Sequence, residues 1–149
     1  MKKLIVMLSA FLLISLMGYT QKLTPDKVPT SVLQAFTKKF PAATEVNYEL
    51  KNNNYEIAYR DKGIRGFAKF NPTGKWLETR TEIVESDLPK EVSASASKDF
   101  PGFKVSEVTT VETPDKPLFY KMDLKKGNEG YKVQFSSKGD VLKKTPLKK

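Results

Sequence analysis

Val28-Pro29-Thr30-Ser31-Val32-Leu33-Gln34-Ala35-Phe36-Thr37-Lys38-Lys39-Phe40-Pro41 decides the fold, because Leu88-Pro89-Lys90-Glu91-Val92-Ser93-Ala94-Ser95-Ala96-Ser97-Lys98-Asp99-Phe100-Pro101 repeats its pattern. In the first stretch Val28, Val32, Phe36 and Phe40 recur every fourth residue. In the second, Leu88, Val92, Ala96 and Phe100 do the same. Side chains four apart share one face of an α-helix, so each stretch reads as an amphipathic helix with one apolar stripe. The proline after the first stripe residue suits a first helical turn, where the missing N–H leaves no bond unmade. Phe-Pro closes each stretch, since proline disfavours helical geometry in the residue before it.

The match runs on at a changed offset. Tyr55, Ile57 and Tyr59 correspond to Tyr120, Met122 and Leu124, and Ala68 and Phe70 to Val133 and Phe135. Gly74 and Leu77 correspond to Gly139 and Leu142. The offset grows from 60 to 65, so the second copy carries five extra residues between Lys104 and Leu118. The turn-rich run Thr113-Pro114-Asp115-Lys116-Pro117 is the expected place for them.

After each helix the apolar residues alternate. Val46, Tyr48 and Leu50 share a face, as do Tyr55, Ile57 and Tyr59, and Tyr131, Val133 and Phe135. This is the pattern of antiparallel strands buried on one side. Asn52-Asn53-Asn54, Asp61-Lys62-Gly63, Asn71-Pro72-Thr73-Gly74 and Ser137-Lys138-Gly139-Asp140 supply turns. The expected fold is therefore α+β: two tandem repeats, each one helix followed by about four antiparallel strands, with the helix stripe laid on the sheet. The repeats are placed at residues 21–85 and 86–149. Val84-Glu85-Ser86-Asp87 joins them without a Gly or Pro run, so they are expected to pack together as a continuous sheet.

Ahead of the repeats, Lys2 and Lys3 precede an apolar run from Leu4 to Met17, and Gly18-Tyr19-Thr20 follows. That plan is a secretory signal peptide, residues 1–20, cut before Gln21. The alternative is a retained anchor, but the run of 14 residues falls short of the roughly 20 that span a bilayer. Export to the periplasm or beyond the cell is the expectation. The chain has no cysteine and no histidine. That excludes disulfides, thiolate ligands, Ser-His-Asp and Cys-His catalysis, and histidine zinc sites. Stability must come from a hydrophobic core.

The order of these elements resembles a known family. Val28-Pro29, Ala35-Phe36, Phe40-Pro41-Ala42-Ala43, Tyr55-Glu56 and Phe70-Asn71-Pro72-Thr73-Gly74-Lys75-Trp76-Leu77 are similar to a PepSY-like domain. The second copy repeats it as Leu88-Pro89, Phe100-Pro101-Gly102-Phe103, Tyr120 and Gly139-Asp140-Val141-Leu142. Together they resemble the beta-lactamase-inhibitor-like (BLIP-like), PepSY-like proteins exported by Bacteroidota. The resemblance implies a BLIP/PepSY-like fold, a periplasmic or secreted location, and binding or inhibition in place of catalysis. In the inhibitor that gives the family its name, the sheet grips an enzyme. The resemblance brings no catalytic residues and no cofactor.

The strand faces turned from the core carry mostly charge: Glu56, Ala58 and Arg60; Arg65, Phe67 and Lys69; Trp76, Glu78, Arg80 and Glu82. Phe67 and Trp76 are the exceptions. Large aromatics ringed by Arg65, Lys69 and Arg80 have the anchor-and-rim makeup of a protein-binding patch. The competing reading packs Trp76 beneath a loop or against the other repeat. In the second copy Lys121, Asp123, Lys132 and Gln134 hold this face with Phe119 as its one aromatic. The first copy is thus expected to dominate. Glu78 and Glu82 stand four apart, about 13 Å along a strand, too far for a carboxylate pair; with Arg80 between them, cross-strand salt bridges explain them better. The same holds for Glu45 and Glu49. Asp61-Lys62-Gly63 and Asn52-Asn53-Asn54 lack the acidic series of a calcium loop.

The formal charge is +9, of which +7 remains once Lys2 and Lys3 are removed. Export argues against nucleic acid as the reason for it. The expectation is a non-enzymatic binding or inhibitory module acting on an envelope or secreted protein. The alternative is an interaction protein for anionic glycans or lipid head groups.

Overall fold

The computed structural model describes residues 21–147; the expected signal peptide lies outside them. A short strand β1 (Gln21–Leu23) leads through a 3-10 turn (Pro25–Lys27) into α1 (Thr30–Lys39). Four strands follow: β2 (Thr44–Lys51), β3 (Asn54–Asp61), β4 (Ile64–Phe70) and β5 (Trp76–Ile83). A second 3-10 turn (Glu85–Asp87) and α2 (Lys90–Asp99) open the next four, β6 (Lys104–Thr113), β7 (Lys116–Lys126), β8 (Glu129–Ser136) and β9 (Val141–Pro146). All nine strands form one antiparallel sheet whose spatial order follows the chain.

Pro29 and Pro89 sit just before the helices, with extended backbone. The Pro29 carbonyl accepts bonds from the Val32 and Leu33 N–H groups at 2.9 and 3.1 Å. Val28 and Leu88 are therefore not helical, although the four-residue spacing placed them on the helix stripe. Each lies in the extended segment its proline imposes, yet both remain buried under the stripe. At the other end the Phe40 and Phe100 N–H groups bond the carbonyls of Phe36 and Ala96 at 2.8 and 3.0 Å, closing the helices where Phe-Pro predicted.

Both helices lie on one face of the sheet, each over its own apolar cluster. Under α1, Val32 and Phe36 meet Ile57, Tyr59, Ala68 and Phe70. Under α2, Val92, Ala96 and Phe100 meet Met122, Leu124, Val133 and Phe135. The aromatic bulk is placed differently. Phe36 contacts Phe40, Tyr59 and Phe70 rings at 5.3, 5.4 and 6.4 Å. Its counterpart Ala96 contributes no ring, and Phe100 instead packs on Phe103, Tyr131 and Phe135 at 6.0, 6.2 and 6.3 Å.

The turns after β4 and β8 tuck under the first turns of the helices. Gly74 and Gly139 hold φ of +81° and +89° there, and a Cβ on either would stand 2.5 Å from a helix carbonyl, Ser31 or Glu91. Both needs are met only by glycine.

The extra five residues do not enlarge a loop. β6 and β7 run 10 and 11 residues against 8 each for β2 and β3, and Thr113 still pairs with Lys116 across a tight turn. The lengthened β6 reaches far enough to pair with β5 from Ile83–Val108 to Thr79–Glu112. β5 thus serves both halves. Leu23 pairs with Tyr48 as Ile83 pairs with Val108, which makes β1 the abbreviated counterpart of β5.

Candidate functional site

The sheet face opposite the helices is bare of other elements among the described residues. Register carries one row across it: Ala58, Phe67, Arg80, Val111, Phe119 and Ser136 stand side by side on β3 to β8. Val111 and Phe119 are buried although no helix covers them. With half-buried Phe67 they form an apolar floor crossing both halves of the sheet. Phe119 was visible in the sequence as an outward aromatic. Val111 was not singled out, because it lies just ahead of the turn-rich run at residues 113–117; only its place in an alternating run could have marked it. The first copy therefore does not own this face alone.

Cations stand over the floor. The Arg65 and Arg80 guanidinium carbons lie 4.7 and 5.1 Å from the Phe67 ring centre, and Lys121 Nζ lies 5.8 Å from that of Phe119. Carboxylates fix the arms. Glu56, whose side chain is only 16% exposed, holds Lys69 and Arg80 at 3.4 Å each. Glu78 holds Arg80 at 3.1 Å, and Glu82 holds Arg65 at 3.4 Å. Glu82 thus makes a cross-strand ion pair, though with Arg65, while Glu78 pairs with Arg80 along its own strand, and Glu45 pairs across strands with Arg60 at 2.9 Å. Asp123 pairs with Lys132 at 3.5 Å.

Arg65, Phe67, Arg80, Lys121 and Lys132 line a shallow groove of about 380 Å³. Lys121 makes no ion pair among the described residues. Burial lowers its pKa; Glu78 opposes that, and Arg80, Lys132 and Lys69 add to it. The groove thus keeps one half-buried ammonium facing a crowd of cations.

Trp76 is not part of this face. A β-bulge shifts the register between Lys69–Glu78 and Phe70–Trp76, which turns Trp76 to the side of Phe70. There it packs on the α1 cluster. Its Nε1 donates to Thr79 Oγ1 at 2.9 Å, and Lys39 Nζ sits 3.9 Å from its ring centre. The bulge inserts one residue and so reverses the period-two reading of everything before it. The expected pairing of Phe67 with Trp76 on one surface is corrected accordingly. Arg65, Phe67, Lys69 and Arg80 do come together.

Between the two helix-backed clusters a second hollow, about 280 Å³, opens on the helix side, lined by Lys39, Tyr59, Asp61, Thr79 and Glu112 among others. Burial, then Asp61 and Glu112, push the Tyr59 hydroxyl up to about 12. Among the described residues, no three or more His, Cys, Asp or Glu gather as metal ligands. Among them too, no helix is long and apolar enough to cross a membrane.

Two short helices laid on one continuous antiparallel sheet, with a charged, aromatic-centred face left open, define the class: a mostly-sheet α+β protein. The chain belongs to the beta-lactamase-inhibitor-like, PepSY-like family, whose model matches residues 17–65 and again 61–143. Similar solved structures include a BLIP-like protein from Bacteroides fragilis, 23% identical over 80% of this chain and 86% of that one, at a TM-score of 0.75. A DUF2874 family protein from Bacteroides ovatus is 24% identical over 81% of this chain and 89% of its own, at 0.76. A protein described as periplasmic, from Bacteroides eggerthii, is 24% identical over 80% and 88%, at 0.75. These likenesses are of fold. No curated protein matches the chain.

Proposed function

We propose that this is an exported, non-catalytic binding protein that grips a protein partner in the periplasm or outside the cell, as an inhibitor or a scaffold, through the helix-free face of its sheet. The observation that carries this reading is Phe67, a large aromatic held between two guanidinium groups in the middle of a rigid sheet. Aromatic and arginine side chains are the ones that anchor interfaces. Here Glu56, Glu78 and Glu82 already fix the arginine arms, so little side-chain entropy remains to be lost on binding. The family's inhibitor-like description and the periplasmic label of a structural relative support the reading.

Affinity capture from an envelope fraction tests it. Wild-type protein should retain a partner that Phe67→Ala loses, while Trp76→Ala retains it. Identical partners for wild type and Phe67→Ala would sink the assignment. A second reading, contact with anionic envelope polymers or lipids, is favoured by the charge of +7 that is left of +9 once Lys2 and Lys3 are removed. It requires capture that falls steeply with salt whether or not Phe67 is present.

A further inference from the structure

On the helix-free face, Arg65, Lys69, Arg80 and Lys132 are each held by a carboxylate: Arg65 by Glu82, Lys69 and Arg80 by Glu56, and Lys132 by Asp123. Lys121 lines the same groove and is held by none among the described residues. It is half-buried, with Arg80, Lys132 and Lys69 all bearing on it. Lys143, two strands away across Gln134, is exposed. Glu107, which also lines the groove, is exposed and stands across from Asp123. An anion at Lys121 would meet the one cation lining this groove that the sheet leaves unanswered.

The groups around Lys121 fit an anion joined to an apolar body. Thr109 and Gln134 flank it in register on β6 and β8; a hydroxyl and an amide both donate to oxygen. Two residues along β6 and β7 lie Val111 and Phe119, the buried floor. Strand rise sets the two places about 7 Å apart on one face of the sheet. An occupant therefore offers both groups from one of its own faces.

We propose that the protein partner gripped by this face presents one acidic side chain, aspartate or glutamate, whose carboxylate seats on Lys121 between Thr109 and Gln134. Beside it on the same partner surface an apolar side chain lies on Val111 and Phe119. The inference rests on the reading of the Phe67 face and adds the partner's chemistry to it. Charge complementarity selects the occupant. A sulfated or phosphorylated polymer would bring many anions to a groove with one free ammonium, and nothing for the apolar floor. A basic side chain would meet Lys121 and the guanidinium groups with like charge.

4-Phenylbutyrate, a phenyl ring and a carboxylate at about that separation, is the probe, and 4-phenylbutanamide is its neutral counterpart. Each is titrated into the purified protein and read from the lysine side-chain NMR signals. 4-Phenylbutyrate should move the Lys121 signal and bind about tenfold more tightly than the amide, the ratio expected of one charge-assisted contact. Lys121→Met should erase that preference, Lys121→Arg should keep it, and Lys22→Met, on the distant β1, should change nothing. Equal affinities, no binding of 4-phenylbutyrate, or a preference that survives Lys121→Met would overturn the proposal. So would heparin that displaces 4-phenylbutyrate from Lys121, since the face would then belong to a polyanion. Capture from the envelope fraction separates this inference from the reading beneath it. A partner lost by Phe67→Ala but kept by Lys121→Met overturns the inference and leaves that reading standing. A partner kept by Phe67→Ala overturns the reading itself.

Discussion

Arg80 stands 5.1 Å from the Phe67 ring centre while two carboxylates, Glu56 at 3.4 Å and Glu78 at 3.1 Å, hold its guanidinium in place. Exposed ion pairs contribute about 0–1 kcal/mol, and stacking a cation on an aromatic ring adds about 0.5–1 kcal/mol. The arrangement's value is orientation: β3 and β5 both supply anions that aim Arg80 at a ring on β4 between them.

Glu56→Gln should therefore loosen Arg80 with little loss of fold. A double-mutant cycle of Glu56→Gln and Arg80→Met, read by urea unfolding, should give a coupling of about 1 kcal/mol. Additive effects would show that the two side chains act independently. Partner capture should weaken in Glu56→Gln although Glu56 need not touch the partner.

Trp76→Ala is expected to act on stability. The ring packs on the α1 cluster, carries Lys39 and satisfies the hydroxyl of Thr79, which is 5% exposed. Truncation removes apolar contact and leaves Thr79 without its donor. A loss of about 3 kcal/mol follows, at the lower end of the range for a buried tryptophan because this one is only half-buried. Urea unfolding measures it, and a loss under about 1 kcal/mol would place the ring's role elsewhere.

Gly139→Ala and Gly63→Ala separate backbone strain from steric conflict. Both positions have positive φ, +89° and +81°. Around Gly63 there is nothing within 4 Å, so Gly63→Ala meets only the left-handed backbone cost, about 1–2 kcal/mol. At Gly139 the new methyl would also stand 2.5 Å from the Glu91 carbonyl oxygen. It must push α2 off the β8–β9 turn and should cost clearly more. Thermal unfolding of the two variants compares them, and equal losses would mean the helix yields freely.

Most of the fold was legible because it is written twice. The stripe of Val32 and Phe36 returns as Val92 and Ala96, and Phe-Pro ends both helices. What stayed hidden depends on pairing partners, which no local pattern records. β1 is three residues long, too short to alternate, and exists because Tyr48 and Leu50 offer it an edge. The bulge before Glu78 moved Trp76 to the helix side, so half of the aromatic pair expected on one surface was misplaced while Arg65, Phe67, Lys69 and Arg80 stayed together. Val111 joined the outward floor only because the inserted residues lengthened a hairpin where turn chemistry pointed to a loop.

Tyr59 links the α1 cluster to alkaline pH. Its ring packs tilted against Phe40 at 4.6 Å and edge-on against Phe36 at 5.4 Å, while its hydroxyl is pushed up to about 12 by burial and by Asp61 and Glu112. In the unfolded chain the hydroxyl ionises near the usual value of about 10. The folded pKa is the higher one, so the neutral, protonated form belongs to the folded state. The associated stability is fully present below pH ~10 and is lost as pH rises from there through about 12, because the unfolded chain sheds this proton first. Wild-type protein should lose thermal stability across that window. Tyr59→Phe keeps the ring and removes the proton, so its midpoint should fall less steeply over the same range while matching wild type closely near neutrality. Parallel curves for the two proteins between pH 10 and 12 would show that Tyr59 is not the group responsible.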